Sequence, residues 1–238
     1  MKAIAAFLIL LIFGPLAAQA QVHASLVALD HSVQPGKSTT VAFRLQHDTP
    51  WHTFWINAGT GFATSLKWEL PVGWTAGDIQ WPTPILIKDS NGTVTGHGYE
   101  GIVYLPVEVT VPPDAKVGDS VALSARVRWL MCTDICIPSS ANVSLTMPVS
   151  TDVPQQDAAI AAELAKMQMP QVRRDWKLSA TRSATSVKLV VSGAGSIQSP
   201  HFFSEDAYIQ YDVPQTVDTA DGSRSEERRV GKECRSRW

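Results

Sequence analysis

The sequence predicts an all-β protein: a sandwich or barrel of short strands, one helix, and the start of a second β-domain. Three observations predict it. Residues 22–149 break into short runs rich in Val, Leu, Thr and Trp. Several runs alternate, with Val41, Phe43 and Leu45 on one face and Ala42, Arg44 and Gln46 on the other. Clusters of Gly, Pro, Asn and Asp punctuate them, as in "QPGK", "PVGW", "DSNG" and "PPDAKVGD". No strand–helix–strand alternation appears, so a thioredoxin fold is not expected for this segment.

The first element, residues 1–20, reads as a secretory leader. Lys2 supplies a positive start, "AIAAFLILLIFGPLAA" an apolar core, and Ala18-Gln19-Ala20 a small-x-small cleavage site. The apolar run is too short for a membrane span. Cleavage would start the mature chain at Gln21, in an oxidising compartment where paired cysteines carry meaning.

Residues 21–150 form the expected β-domain. Its strands are read at "SLVALD", "TTVAFRLQHD", "SLKWEL", "GIVYLPVEVTVP", "SVALSARVRWL" and "NVSLTMPV". Residues 151–170 form the linker. Within them "VPQQDAAIAAELAKMQM", 153–169, is an Ala-rich helix with Ile160, Leu164 and Met167 on one face, Asp152 as its cap and Pro170 as its stop. Residues 171–223 resume strands at "DWKLSA", "SVKLVVSG" and "AYIQYDVP". About fifty residues is short for a sandwich, so an incomplete second β-domain is expected. Residues 224–238, "RSEERRVGKECRSRW", are dense in charge, without apolar periodicity, and carry the lone Cys234. They match the translation of a sequencing adapter and are left out of the fold reasoning.

The chain holds 20 Lys+Arg and 22 Asp+Glu; without the leader's one Lys and the tail's six basic and three acidic residues, 13 basic and 19 acidic groups remain, net −6. No basic patch suggests nucleic acid or anionic lipid. No cofactor is expected.

The chemistry concentrates in "VRWLMCTDICIPSS", 127–140, where three residues separate Cys132 from Cys136. A structural disulfide is the default for an exported domain. A ring this short constrains the unfolded chain weakly, which favours a redox role instead. A second thiol already nearby resolves a mixed disulfide quickly. A metal clip is the third reading. Two thiolates suit Cu(I) or Zn, and His47, His52 or His97 could add ligands, though no metal-ligand spacing ties them to the cysteines.

"PWHTFWINAGTGFATSLKWELPVGW" (50–74), "IQWPTPI" (79–85), "GHGYEGIVYLPVEVTVP" (96–112) and "VRWLMCTDICIPSSANVSLTMPV" (127–149) resemble the N-terminal periplasmic region of the thiol:disulfide interchange protein DsbD family, in its ScsB-like branch. W-L-x-C-x-x-x-C-I-P with the upstream W-H-T-x-W-x-N is the specific part. The resemblance implies an immunoglobulin-like sandwich with an inserted active-site hairpin. It also implies, beyond this chain, a membrane electron-conducting domain and a thioredoxin-like domain. Such a protein is periplasmic and inner-membrane anchored, and passes electrons to periplasmic disulfide partners. By position, Cys136 matches the cysteine that joins a partner and Cys132 the one that resolves. A cap loop is expected at Gly96–Gly101, with His97, Gly98 and Tyr99 over the pair. His97 departs from the family's acidic-aromatic cap.

Beside these, Asp134 within the ring would work against thiolate formation, or simply form the turn. Arg128 would oppose it. Trp129, Trp51 and Trp55 would wall the site, or fill the core. The alternative function is a non-catalytic exported sandwich with a structural disulfide that binds a protein or copper.

Overall fold

The computed structural model describes residues 21–218, apart from 172, 185, 194–199, 207 and 208, and the backbone of 224–229. The leader read at residues 1–20 and the tail cysteine Cys234 lie outside the described residues. The first domain contains β1 (Val22–Ala28), β2 (Ser38–His47), β3 (His52–Gly59), β4 (Ser65–Glu69), β5 (Thr75–Ala76), β6 (Ile85–Lys88), β7 (Val94–Tyr99), β8 (Ile102–Thr110), β9 (Ser120–Cys132) and β10 (Cys136–Pro148). Then come α1 (Ala158–Lys166), β11 (Lys177–Arg182), β12 (Ser186–Ser192), β13 (Thr216–Asp218) and β14 (Arg224–Arg229). Among the described residues no helix is long and apolar enough to cross a membrane.

The first domain is an immunoglobulin-like β-sandwich of antiparallel strands. One sheet runs β1-β2-β8-β5; the other runs β10-β9-β3-β7-β6, with β4 also on β9. Alternation builds the core between them. Val41, Phe43 and Leu45 of β2 lie opposite Val107, Leu105 and Val103 of β8, and all six are buried. Leu123, Ala125, Val127, Trp129 and Met131 of β9 close the core from the other sheet. Each such large side chain contributes about 1.5–3 kcal/mol on full burial.

β9 and β10 form one long hairpin, paired from Ser120↔Pro148 to Cys132↔Cys136. The other edge of β9 is shared: β4 covers Ser124–Arg128, and β3 reaches Met131 and Cys132. This shared edge brings β3 to the cysteines.

Three expectations need correction. The helix is shorter than 153–169, and Asp157, not Asp152, caps it: its Oδ1 accepts from Ala159 N (2.9 Å) and Ile160 N (3.0 Å). The preceding residues are held extended by the end of β1, since Gln155 O accepts from His31 N and Asp157 N donates to Leu29 O. The described part of "AYIQYDVP", Ile209–Pro214, is not a strand beyond a single bridge residue at Ile209. The third and larger correction is that Gly96–Tyr99 is not a loop but lies inside β7, paired with β3 and β6. Its glycines serve close approach: a Cβ on Gly98 would meet Thr53 O at 2.0 Å, and one on Gly96 would meet Ala58 O at 2.4 Å.

In the second part, β11 and β14 flank β12, and β13 pairs β14. β14 falls in the stretch set aside on its sequence. Backbone pairing to an open strand edge makes little demand on side-chain identity.

Candidate functional site

Cys132 ends β9, Cys136 starts β10, and the two are disulfide-bonded with Cα atoms 4.2 Å apart. Thr133, Asp134 and Ile135 form the tip between them. The two sulfurs differ in access: Cys132 is 2% exposed, whereas Cys136 is an exposed residue. Strand parity explains what surrounds them. Cys132 and Leu130 project from the side of β9 opposite to Trp129 and Met131. There they pack with Phe54 and Ala58 of β3 in a small separate cluster.

An open cleft of about 540 Å³ lies beside the disulfide. His52 and Phe54 of β3 form one wall, and Lys88, Asp89 and Ser90 of the β6–β7 hairpin form another. Glu100, Asp134 and both cysteines complete it. The hairpin turn is well tied: Asp89 Oδ1 accepts from Asn91 N and Thr93 N, both at 2.9 Å. Gly92 takes φ +81°, a left-handed angle that suits glycine.

His52 lies directly across the ladder from Cys132. Burial pushes its imidazole below the ordinary histidine range. His47 has both ring nitrogens engaged, with Gly101 O at 2.7 Å and Thr53 Oγ1 at 2.8 Å. Burial, chiefly, also lowers its pKa; the carbonyl contact opposes that and His52 adds to it. His97 is fully buried on the opposite side of the sheet from Cys132, its ring 6.0 Å from that of Trp55 and 5.1 Å from that of Phe203. Of the three histidines weighed as metal ligands, His52 alone faces the sulfurs. Among the described residues no group of three or more His, Cys, Asp or Glu gathers into a metal cluster.

The expected site residues therefore divide. Cys132, Cys136 and Asp134 come together. His97, Gly98 and Tyr99 do not cap them, because they belong to a central strand. Tyr99 is buried in the main core and its hydroxyl donates to Pro82 O at 2.7 Å. Trp129 fills the same core against Phe43, with ring centroids 6.5 Å apart. Trp55 and Trp51 pack there too. Arg128 lies four residues back along β9, about 13 Å at strand rise, and does not line the cleft. Sequence reasoning missed the roles of His52 and the Lys88–Ser90 wall. The turn signal "DSNG" was visible, but its place beside the sulfurs depends on long-range pairing.

A family model described as "Thiol:disulfide interchange protein DsbD, N-terminal" matches residues 19–148. No curated protein sequence matches the chain. Among solved structures, the N-terminal periplasmic domain of ScsB from Proteus mirabilis is similar, with a TM-score of 0.63 and 15% identity over 89% of this chain and 79% of that one. At that identity the likeness speaks to the fold.

Proposed function

The chain belongs to the family of DsbD N-terminal domains, and from that premise we propose that Cys132 and Cys136 carry electrons from a thioredoxin-like relay to periplasmic disulfide proteins. A thiol:disulfide exchange domain needs one reachable sulfur and one protected sulfur. The observation that carries the reading is the asymmetric pair at a hairpin tip, with Cys136 exposed, Cys132 buried and a cleft beside them.

In the reducing direction, the Cys136 thiolate attacks a partner disulfide and one partner sulfur leaves. The Cys132 thiolate then attacks Cys136 Sγ. The Cys132–Cys136 bond forms, the second partner sulfur departs, and two electrons have moved to the partner. The relay recharges the pair by the reverse steps. The role of shield falls to the turn after Lys88 rather than to His97–Tyr99; its support is that Lys88, Asp89 and Ser90 line the sulfur cleft and His97–Tyr99 do not. Export through residues 1–20 and anchoring by a further membrane domain complete the reading. The similar ScsB domain is periplasmic, a compartment in which disulfides persist.

The test is a thiol count on the full chain across defined redox buffers. An exchanging pair equilibrates with them. A pair still oxidised below about −300 mV is a structural bond, and the relay reading falls. In a second arm, Cys132→Ala should trap a mixed disulfide with a thioredoxin-like protein, and Cys136→Ala should not. Trapping by Cys136→Ala alone reverses the two roles.

A further inference from the structure

We propose that His52 is the proton-exchanging partner of Cys132, an assignment that rests on the exchange reading above. His52 and Cys132 are register partners in the β3–β9 ladder. Residues paired in this way project to one face, with Cβ atoms about 4.5–5.5 Å apart. Both line the cleft that also contains Cys136. His52 is 8% exposed, so it is screened from bulk water yet borders the cleft. Phe54, on the same face two residues on, packs edge-to-face with the imidazole at 5.3 Å and 82°.

The need for such a group follows from where Cys132 lies. Breaking the disulfide leaves a thiolate against Phe54, Ala58 and Leu130. A charge in apolar surroundings is costly unless paired or neutralised. The charged groups that face the cleft are Glu100 from the β7–β8 turn, Lys88 and Asp89 from β6 and its turn, and Asp134 from the hairpin tip. The carboxylates oppose a thiolate, and Lys88 is exposed at the rim. His47, at the end of β2, is an electrostatic neighbour of His52 but does not line the cleft. Burial lowers the pKa of His52, which favours the neutral imidazole, the form that can accept a proton.

The steps balance. With Cys136 joined to a partner, the Cys132 thiol gives its proton to a His52 ring nitrogen. The thiolate attacks Cys136 Sγ, the intramolecular disulfide forms, and the partner sulfur leaves with the electron pair and is protonated by solvent. The imidazolium then returns its proton to solvent at the cleft. In reverse, His52 first takes a proton from solvent, a partner thiolate attacks Cys136, and Cys132 departs as a thiolate that takes the proton from the His52 imidazolium.

The first test uses the unaltered full chain. The His52 imidazole resonance is followed against pH in the disulfide and dithiol forms. Coupling to an ionising thiol should move its midpoint by about one pH unit between forms; identical midpoints overturn the assignment. The second uses His52→Gln and His52→Asn, with an aromatic disulfide that releases a coloured thiolate as the oxidant. Resolution should slow about tenfold at neutral pH, the factor carried by one pKa unit, and recover as the pH rises and Cys132 ionises unaided. An unchanged pH profile in a folded variant also overturns it. If the unaltered chain does not exchange at all, the exchange reading fails; if it exchanges and the variants match it, only the His52 assignment fails. Should neither variant fold, the resonance titration decides.

Discussion

A phenol that donates to a carbonyl inside a packed core is a structural group, and Tyr99 is one. Its hydroxyl meets Pro82 O at 2.7 Å, and burial pushes its pKa far above the ordinary tyrosine value. Tyr99→Phe should cost about 1 kcal/mol, the net worth of one hydrogen bond. Tyr99→Ala should cost about 3–5 kcal/mol, as large core aromatics do. Denaturant melts check both. Neither substitution should speed labelling of the reduced cysteines by a bulky thiol reagent in the folded protein; faster labelling would restore Tyr99 as a cap. At this scale the cysteines were legible, because spacing and export limit what such a pair can be. Tyr99 was not. Three glycines in "GHGYEG" look like a turn, yet here two of them let β7 approach β3. The period-2 set Thr95, His97, Tyr99 was the available sign of a strand.

At the scale of elements, β3 went unread in the sequence for a reason of its own. β3, the eight-residue "HTFWINAG", shows no clean alternation, since its first four residues are all buried. One face meets the main core and the other meets the sulfur cluster. A strand covered on both faces loses the polar-apolar rhythm by which strands are recognised. β2, β8 and β9, with clearer alternation, were readable. Alternation also places Lys67 and Arg126 directly opposite each other on the exposed side of β4 and β9. Like charges in that position are destabilising. Lys67→Glu should therefore raise stability by about 0.2–1 kcal/mol, read as a higher urea midpoint that shrinks in high salt. A lower midpoint would mean that the pair is already neutralised.

Over the whole molecule, residues 201–206 pack on β3 and β7. Asn57 Nδ2 donates to Ser204 O (2.8 Å) and Asp206 O (2.9 Å), and Phe203 packs against Trp55 and His97. Trp55 and Asn57 of the W-H-T-x-W-x-N motif thus hold this segment, while His52 of the same motif faces the sulfur. Sequence analysis recognised the motif but not this division, because its contacts span 147 residues. Asn57→Ala should cost about 1 kcal/mol or more, seen as a lower melting temperature with earlier proteolysis near residue 204. An unchanged melt and digest would show that the segment docks without it. The hairpin tip has a consequence of another kind. Ile135, at its apex, is 63% exposed, and the sulfurs lie at its base. A partner that gripped only that tip and the adjoining cleft would bury much less than the roughly 1,600 Å² of a standard-sized interface. For the exchange function proposed above, a small contact of this kind would let each handover end quickly.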